Sequence, residues 1–266
     1  MEDTTLVRTI DELMGLLAFE YTIEGLLWPL HIEGVKARRS VLPDRQINAV
    51  GLADFTEETV DAGIDRVIAA YRREGVPFSW VVGPTSRPAT LAEHLKAHGF
   101  QLDEAQRYAG MALRSLDNFP TPAAGVDVHA VPIRESSQLT DLAVRAFGPP
   151  ITAEGARFAF ATMEAAVAAE SAVYVAHVPD APDPVGFGVA YFRPEGDVMW
   201  LNGAATVPAY RGRGVYTALL AQRVEDARSK GYSAAVIHAL KSTSAPIVQK
   251  HGFEPVCDID IYYIPE

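Results

Sequence analysis

Two glycines alternate with two arginines in the most informative loop of the chain, Arg211-Gly212-Arg213-Gly214. An apolar run of strand type ends at Val207 just before this loop, and a long helical pattern follows it directly. The free amides of a first helical turn point outward, the helix dipole adds positive charge, and glycine lets an anion approach the backbone. The pattern therefore favours a phosphate-binding loop, to which both arginines can add charge. A solvated turn with surface arginines fits the residues equally well.

Two other phosphate-binding motifs fit this chain worse. Lys241-Ser242 lacks the glycine that a P-loop places before its lysine. Thr217 stands where a dinucleotide-binding fingerprint needs its third glycine, and the loop follows a series of strands instead of opening a βαβ unit. An ordinary nucleotide-binding loop is therefore not expected.

The hydrophobic periodicity around the loop predicts mixed helices and strands. We expect strands at 126–133, 171–178, 185–192 and 198–207, and helices at 136–147, 152–170 and from near Gly212 to near Gly231. Short loops rich in proline, glycine and aspartate join the three strands from 171 to 207, which is typical of hairpins. The loop at 211–214 therefore sits between the last of these strands and a long helix.

The chain also repeats itself. The paired segments are Arg66-Val67 with Arg223-Val224, Glu74-Gly75 with Lys230-Gly231, and His98-Gly99-Phe100 with His251-Gly252-Phe253. Each copy predicts a helix that ends at a glycine, a short strand, a second helix that ends at a glycine, and closing strands. The offset is 231 − 75 = 156 residues at the first glycine and 252 − 99 = 153 at the second. The shared order indicates a tandem duplication.

A stretch rich in proline, glycine and alanine separates the two copies. We predict a first domain at 1–118, a linker at 119–126 and a second domain at 127–266. In the first domain the counterpart of the loop runs from Phe55 to Val60 and contains Glu57 and Glu58 instead of arginine and glycine. Thr56 is expected to cap the following helix, and the two glutamates would repel an anion. One anion site is therefore expected, in the second domain.

With its loop and its order of elements, the segment 126–266 resembles the GNAT superfamily of acetyl-CoA-dependent N-acetyltransferases. The family signature is Gln/Arg-x-x-Gly-x-Gly/Ala after the fourth strand, and Arg211-Gly212-Arg213-Gly214-Val215 matches it, while Tyr216 departs at the last position. The resemblance implies an α/β fold with two tandem GNAT-like halves, each a mixed, mostly antiparallel twisted sheet flanked by helices. The first half resembles only the tail of that fold.

The resemblance also implies direct acetyl transfer from acetyl-CoA, as cosubstrate, to a primary amine of a small molecule or peptide. The residues implied to bind the cofactor are Ala205, Thr206, Val207, Arg211, Gly212, Arg213, Gly214, Val215 and Tyr216. No metal is implied. A backbone amide of the strand at 205–207 would polarise the thioester carbonyl.

The acid and the base are not evident from the sequence. The family often places a glutamate on the fourth strand, yet residues 199–204 contain no carboxylate, and Val248 occupies the position of its frequent tyrosine acid. The remaining candidates are Asn202, which could orient a water, and four possible proton donors, namely Tyr191, Tyr216, His238 and Ser244. Because each is individually an ordinary structural residue, two further functions stay open: an acyl-CoA-binding regulatory module without turnover, and a scaffold that binds no CoA.

Composition limits the remaining function classes. The chain has 266 residues, 23 Lys+Arg and 34 Asp+Glu, and hence a formal net charge of −11, which argues against a nucleic-acid surface. The only cysteine, Cys257, fits a reducing compartment and an ordinary strand position. The acidic N-terminus does not resemble a secretory signal, and glutamates interrupt the apolar stretch Leu13–Ile32, which predicts an amphipathic or buried helix. We expect a cytoplasmic monomer or homodimer without membrane contact.

Overall fold

The computed structural model describes residues 3–14, 22–117, 119, 125–149, 151–167, 171–192 and 196–265. It has the mixed α/β architecture that the sequence predicts. By its contacts the chain divides into a terminal unit, Met1–Met111 with His238–Glu266, and a middle unit, Ala112–Ile237. Across the described ranges, no helix has the length and apolar character needed to cross a membrane.

Helices and strands alternate along much of the chain. The first part forms α1 (Asp3–Leu13), β1 (Leu27–Leu30), β2 (Lys36–Ser40), β3 (Ala49–Gly51), α2 (Val60–Glu74), β4 (Ser79–Val82), α3 (Leu91–Ala97) and β5 (Gln101–Leu113). Then come β6 (Asp127–Val131), a 3-10 helix (Ile133–Leu139), α4 (Thr140–Phe147), α5 (Ala153–Val167), β7 (Ser171–His177), β8 (Gly186–Tyr191) and β9 (Val198–Thr206). The last elements are a 3-10 turn (Pro208–Tyr210), α6 (Val215–Ser229), β10 (Ala234–Leu240), α7 (Ser244–Gln249) and β11 (Glu254–Tyr263).

In the middle unit the strands lie in the order β10-β9-β8-β7-β6. The pairs from β6 to β9 are antiparallel, as predicted for hairpin-connected strands, whereas β10 is parallel to β9. Helices α4 and α6 both pack on β8 and β9. Because side chains on both of its faces are covered, all six residues of β8 are buried. This sandwich holds the end of β9 and the start of α6 in place.

In the terminal unit the order is β1-β2-β3-β4-β11-β5, with β3 and β4 parallel. Helices α2 and α3 supply apolar residues to a core that contains several aromatic rings. Tyr71 stacks on Phe78 with ring centroids 4.0 Å apart, and Phe100 meets Trp80 edge-on at 5.8 Å. Burial of these large rings contributes strongly to the stability of this hydrophobic core.

The repeated glycines end helices in both copies, as predicted. Gly75, Gly99, Gly231 and Gly252 have φ values of 67°, 88°, 87° and 88°, in the left-handed region that glycine adopts most readily. The order α2-β4-α3-β5 recurs as α6-β10-α7-β11. Helix α7 and strand β11 belong to the terminal unit, together with the first part of the chain. The domain limits 1–118 and 127–266 stay a prediction. Most of the predicted linker at 119–126 lies outside the described residues.

Two local expectations were wrong. A single helix over Leu13–Ile32 does not form, because Leu27–Leu30 pairs with β2 as an antiparallel strand. Thr56 does not cap α2, because the Thr56 carbonyl accepts the amides of Thr59 and Val60 in a turn, and α2 begins one turn later with Thr59 at its N-cap.

Candidate active site at the end of β9

Strand β9 leads into the arginine–glycine loop and contains a β-bulge. The register between β8 and β9 shifts between Gly188 and Val189, which face Ala204 and Asn202 respectively. Gly203 is the extra residue, and its φ of +44° lies in the left-handed region. A bulge bends its strand and leaves the extra residue outside the regular ladder. The backbone of β9 is therefore turned locally at this point.

The other side of β9 is only partly paired. Strand β10 runs parallel to it from Ala234, opposite Val198, to Ile237, opposite Leu201. Among the described residues of the middle unit, the range 202–206 has no ladder partner on this side. An extended ligand with amide groups can pair with such an open edge.

The loop after β9 is shaped by its glycines. The Arg211 amide donates to the Pro208 carbonyl at 3.2 Å and closes the 3-10 turn. Gly212 and Gly214 have φ values of +75° and +81°. Since these left-handed residues cannot continue a helix, α6 begins at Val215 and not near Gly212 as predicted.

The amides that follow are available to a ligand. Within the described part of the chain, the N–H groups from Gly212 to Tyr216 donate to no backbone acceptor, and no side chain caps α6. They lie at the positive end of a 15-residue helix. A Cβ placed on Gly212 would meet no atom within 4 Å, so the space beside this backbone is open. The loop has the geometry of an anion cradle.

The two loop arginines have different partners. The Arg211 guanidinium donates to the Thr206 carbonyl at 3.1 Å and to the Ala146 carbonyl at 3.0 Å, so it ties the loop to the ends of β9 and α4. Arg213 forms a bidentate ion pair with Asp180, with N–O distances of 3.0 and 2.8 Å. This pairing raises the pKa of Arg213 and lowers the pKa of Asp180. In this structure the cradle therefore owes its positive potential mainly to backbone amides.

Most other residues predicted to bind the cofactor have buried side chains. Ala205 and Thr206 are each 7 % exposed, and Val215 is 1 % exposed. The Val207 amide donates to the Val185 carbonyl at 2.8 Å and so belongs to the sheet. Backbone groups alternate in direction along a strand, so the Thr206 amide faces the open edge of β9, while the Thr206 carbonyl accepts from Arg211.

Three of the predicted catalytic side chains lie in the middle unit. Tyr191 is 6 % exposed and stacks on Trp200 with ring centroids 4.7 Å apart, which places it in the core. Asn202 is partly exposed beside the bulge. Tyr216 is partly exposed on the first turn of α6, and desolvation raises the pKa of its phenol. Asn202 thus lies at the bulge and Tyr216 directly after the loop, whereas Tyr191 has a packing role.

The other two candidates belong to the terminal unit. The Ser244 hydroxyl accepts the Leu240 amide at 2.8 Å at the start of α7. His238 Nε2 donates to the Ile10 carbonyl at 2.7 Å, and desolvation lowers the pKa of this imidazole to about 4. These contacts give both residues local structural roles.

Sequence reasoning missed Arg223, a fully buried arginine on α6. Its side chain crosses to β8, where a Cβ on Gly188 would lie 2.9 Å from the guanidinium carbon. The sequence contains a hint, since a glycine in a buried strand often marks close approach by another group. The arginine itself lies in a repeated Arg-Val pair that predicts only helix.

Comparisons with known proteins identify the family and the fold. The acetyltransferase (GNAT) family model matches residues 137–253. A GCN5-related N-acetyltransferase from Kribbella flavida has a similar structure, with a TM-score of 0.72 and 16 % identity over 98 % of this chain and 96 % of that one. A tandem GNAT protein from the clavulanic acid biosynthesis pathway gives 0.61 and 13 % over 97 % and 88 %. A GCN5-related N-acetyltransferase from Sphaerobacter thermophilus gives 0.60 and 18 % over 86 % and 77 %.

Curated protein sequences provide no match. At these low identities the structural neighbours establish the fold alone, and the family follows from the matched segment. That segment includes the bulged strand β9, the open loop and the whole of α6. Residues 137–253 are an acetyltransferase domain of the GNAT family.

Proposed function

We propose that the protein is an acetyl-CoA-dependent N-acetyltransferase that transfers the acetyl group directly to a primary amine of a small molecule or peptide. The proposal rests on one observation above all. Unpaired amides from Gly212 to Tyr216 open α6 immediately beside the bulged, partly unpaired end of β9.

Both parts of this arrangement fit the cosubstrate. The pyrophosphate of CoA is an anion that the amides of residues 212–216 would hold, in the space left open beside Gly212. The pantetheine arm carries amides, which would pair with the free edge of β9 within residues 202–206. Acetyl-CoA supplies the activated thioester, and the chain has to position it and stabilise the charge that develops.

The bulge would provide that stabilisation. When the amine nitrogen bonds to the thioester carbon, negative charge builds on the carbonyl oxygen before the carbon–sulfur bond breaks. A backbone N–H near Gly203 is a suitable donor, because the bulge leaves this residue outside the regular ladder with β8. Loss of one such donor in other enzymes slows the reaction about a hundredfold or more.

Proton transfer requires a group that accepts the proton of the amine and a group that protonates the thiolate. An amine with a pKa near 10.4 is neutral only about once in a thousand molecules at pH 7, so it has to lose a proton. In the described part of β9 no carboxylate is present, and Asn202 is the polar side chain beside the bulge. We assign Asn202 to orient a water that removes the proton. Tyr216 would protonate the leaving thiolate, since desolvation keeps its phenol protonated.

The test combines binding with turnover. Wild-type protein is titrated with CoA by calorimetry and then incubated with acetyl-CoA and a panel of amines, peptides and aminoglycosides, while free thiol is measured. We expect CoA binding and release of thiol with at least one acceptor. Gly214→Glu should abolish CoA binding, because it puts a carboxylate and a strained backbone into the cradle.

Gly231→Glu is the matched control. Gly231 has a φ of +87° at the other end of α6 and open space around it, so this variant carries the same strain and charge away from the loop. Equal CoA affinity in wild type and Gly214→Glu would refute the site. Tight CoA binding without thiol release from any acceptor would refute the transferase activity and favour a regulatory module.

A further inference from the structure

Arg223 is a buried cation that lacks a counter-ion. It is 0 % exposed, and no carboxylate in the described residues forms an ion pair with it. Its Nε donates to the Leu219 carbonyl at 2.9 Å and its Nη1 to the Val189 carbonyl at 3.1 Å, while Nη2 is buried without an acceptor among the described residues. Burial lowers the pKa of this guanidinium.

Such a residue costs stability. Desolvating a charge is expensive, and a buried ionic group can often be replaced by an apolar side chain of similar volume without loss. The nearest carboxylate on the same helix face, Asp226, instead accepts hydrogen bonds from Tyr174 at 2.7 Å and Gln222 at 2.8 Å. Packing and charge pairing therefore do not account for an arginine at this position.

The location of the contacts that Arg223 makes does explain why an arginine occupies this position. Val189 is the residue at which the register of β8 against β9 shifts, opposite Asn202 and next to the bulge at Gly203. A bulge leaves backbone groups that the regular ladder no longer satisfies, and a fixed donor at that point favours the bulged register. Gly188 makes room for the guanidinium, since a Cβ there would lie 2.9 Å from its carbon atom.

We propose that Arg223 is a positioning residue for acetyl transfer, which holds the β9 bulge in the register that aims a backbone N–H at the thioester oxygen. This inference rests on the proposed function. The unneutralised charge of Arg223 also lies in a low-dielectric environment near the place where negative charge develops. A fixed cation stabilises such a transition state more than the ground state.

The test uses Arg223→Met, Arg223→Lys and, as a control, Arg228→Met. Arg228 is on the same helix but is exposed and contacts Glu225. For each full-length variant, kcat, KM for acetyl-CoA, CoA affinity and hydrogen exchange of the amides at 202–204 are measured. We expect Arg223→Met to lower kcat about ten- to hundredfold and to speed exchange at 202–204. CoA affinity should change less than about threefold, because the cradle at 212–216 is intact.

Arg223→Lys should recover part of kcat, since it keeps the charge, and Arg228→Met should match the wild type. Unchanged kcat in folded Arg223→Met would overturn the inference, as would a parallel loss of kcat and CoA affinity. If Arg223→Met does not fold, Gly188→Ala displaces the guanidinium from the Val189 carbonyl, and the same outcomes apply. The exchange readout needs no turnover. If the wild-type protein has no transferase activity, the proposed function is refuted. Faster exchange at 202–204 in Arg223→Met would still show that Arg223 stabilises the bulge, and unchanged exchange would refute that role.

Discussion

We predict that the ion pair between Arg213 and Asp180 weakens the proposed binding of CoA. Asp180 lies in the loop between β7 and β8 and holds Arg213 through two hydrogen bonds of 2.8 and 3.0 Å. It therefore opposes an anionic ligand in two ways, by occupying the arginine and by adding a negative charge beside the cradle. Asp180→Asn removes the charge but keeps the size of the side chain, so we expect it to tighten CoA binding.

The expected effect is small because the pair is exposed. The side chains of Arg213 and Asp180 are 43 % and 60 % exposed, and water weakens such pairs strongly. Release of the arginine and loss of the repulsion should together lower the Kd for CoA about two- to fivefold. The gain should shrink as salt rises from about 50 to 500 mM, because ions screen exposed charges.

Calorimetric titration with CoA at low and high salt would measure this effect in a double-mutant cycle. Arg213→Gln should weaken binding, and Asp180→Asn should have a smaller effect in that background, where only the repulsion remains. Asp183→Asn, a change in the same exposed loop, is the control for net charge. The reasoning is refuted if Asp180→Asn leaves CoA affinity unchanged or weaker, or if Asp183→Asn tightens binding equally.

Two further predictions concern the terminal unit. Tyr71→Phe should lower the free energy of unfolding by about 1–2 kcal/mol, because the buried hydroxyl shares its hydrogen between two backbone carbonyls. The hydroxyl oxygen lies 2.7 Å from the Arg38 carbonyl oxygen and 2.8 Å from that of Ala49. Urea denaturation measures this loss of stability, and a change below about 0.3 kcal/mol would contradict this role. His238 has a folded pKa of about 4, below its unfolded value near 6.5, so the unfolded state takes up the proton first as the pH falls. Stability should drop between pH 6.5 and 4, and His238→Asn should remove that part of the slope; an identical slope in both proteins would show that His238 does not titrate as inferred.

The order of elements was predictable because it depends on local patterns. Helix α3, Leu91–Ala97, ends just before Gly99, as the sequence predicts for the second helix of the copy. The strand Leu27–Leu30 was not predictable in the same way. A short apolar run fits a helix or a strand, and pairing with β2, between Leu27 and Ser40 for example, decides the outcome.

The site was predictable at its backbone and less so at its side chains. The spacing of Gly212 and Gly214 indicates an open loop before a helix, and the structure has one. The role of Arg211 depends on the Ala146 carbonyl, 65 residues away, and no local pattern contains that partner. Tyr191 illustrates the same limit, since its stacking on Trp200 follows from the register of β8 against β9.

Three arginines near the site show why residue type alone does not establish a role. Arg211 donates to backbone carbonyls, and Arg213 forms an ion pair with a carboxylate. Arg223 is buried and donates to a backbone carbonyl beside the β9 bulge. In this structure the guanidinium groups of Arg211 and Arg213 already bind acceptors of the protein, and that of Arg223 is fully buried. The affinity of the loop for CoA should therefore come first from the amides of 212–216, which depend on the left-handed glycines for their direction. Arg213→Gln, which removes a loop charge, is then expected to weaken CoA binding far less than a side chain at Gly214. The opposite ranking would show that side-chain charge, not backbone geometry, holds the ligand.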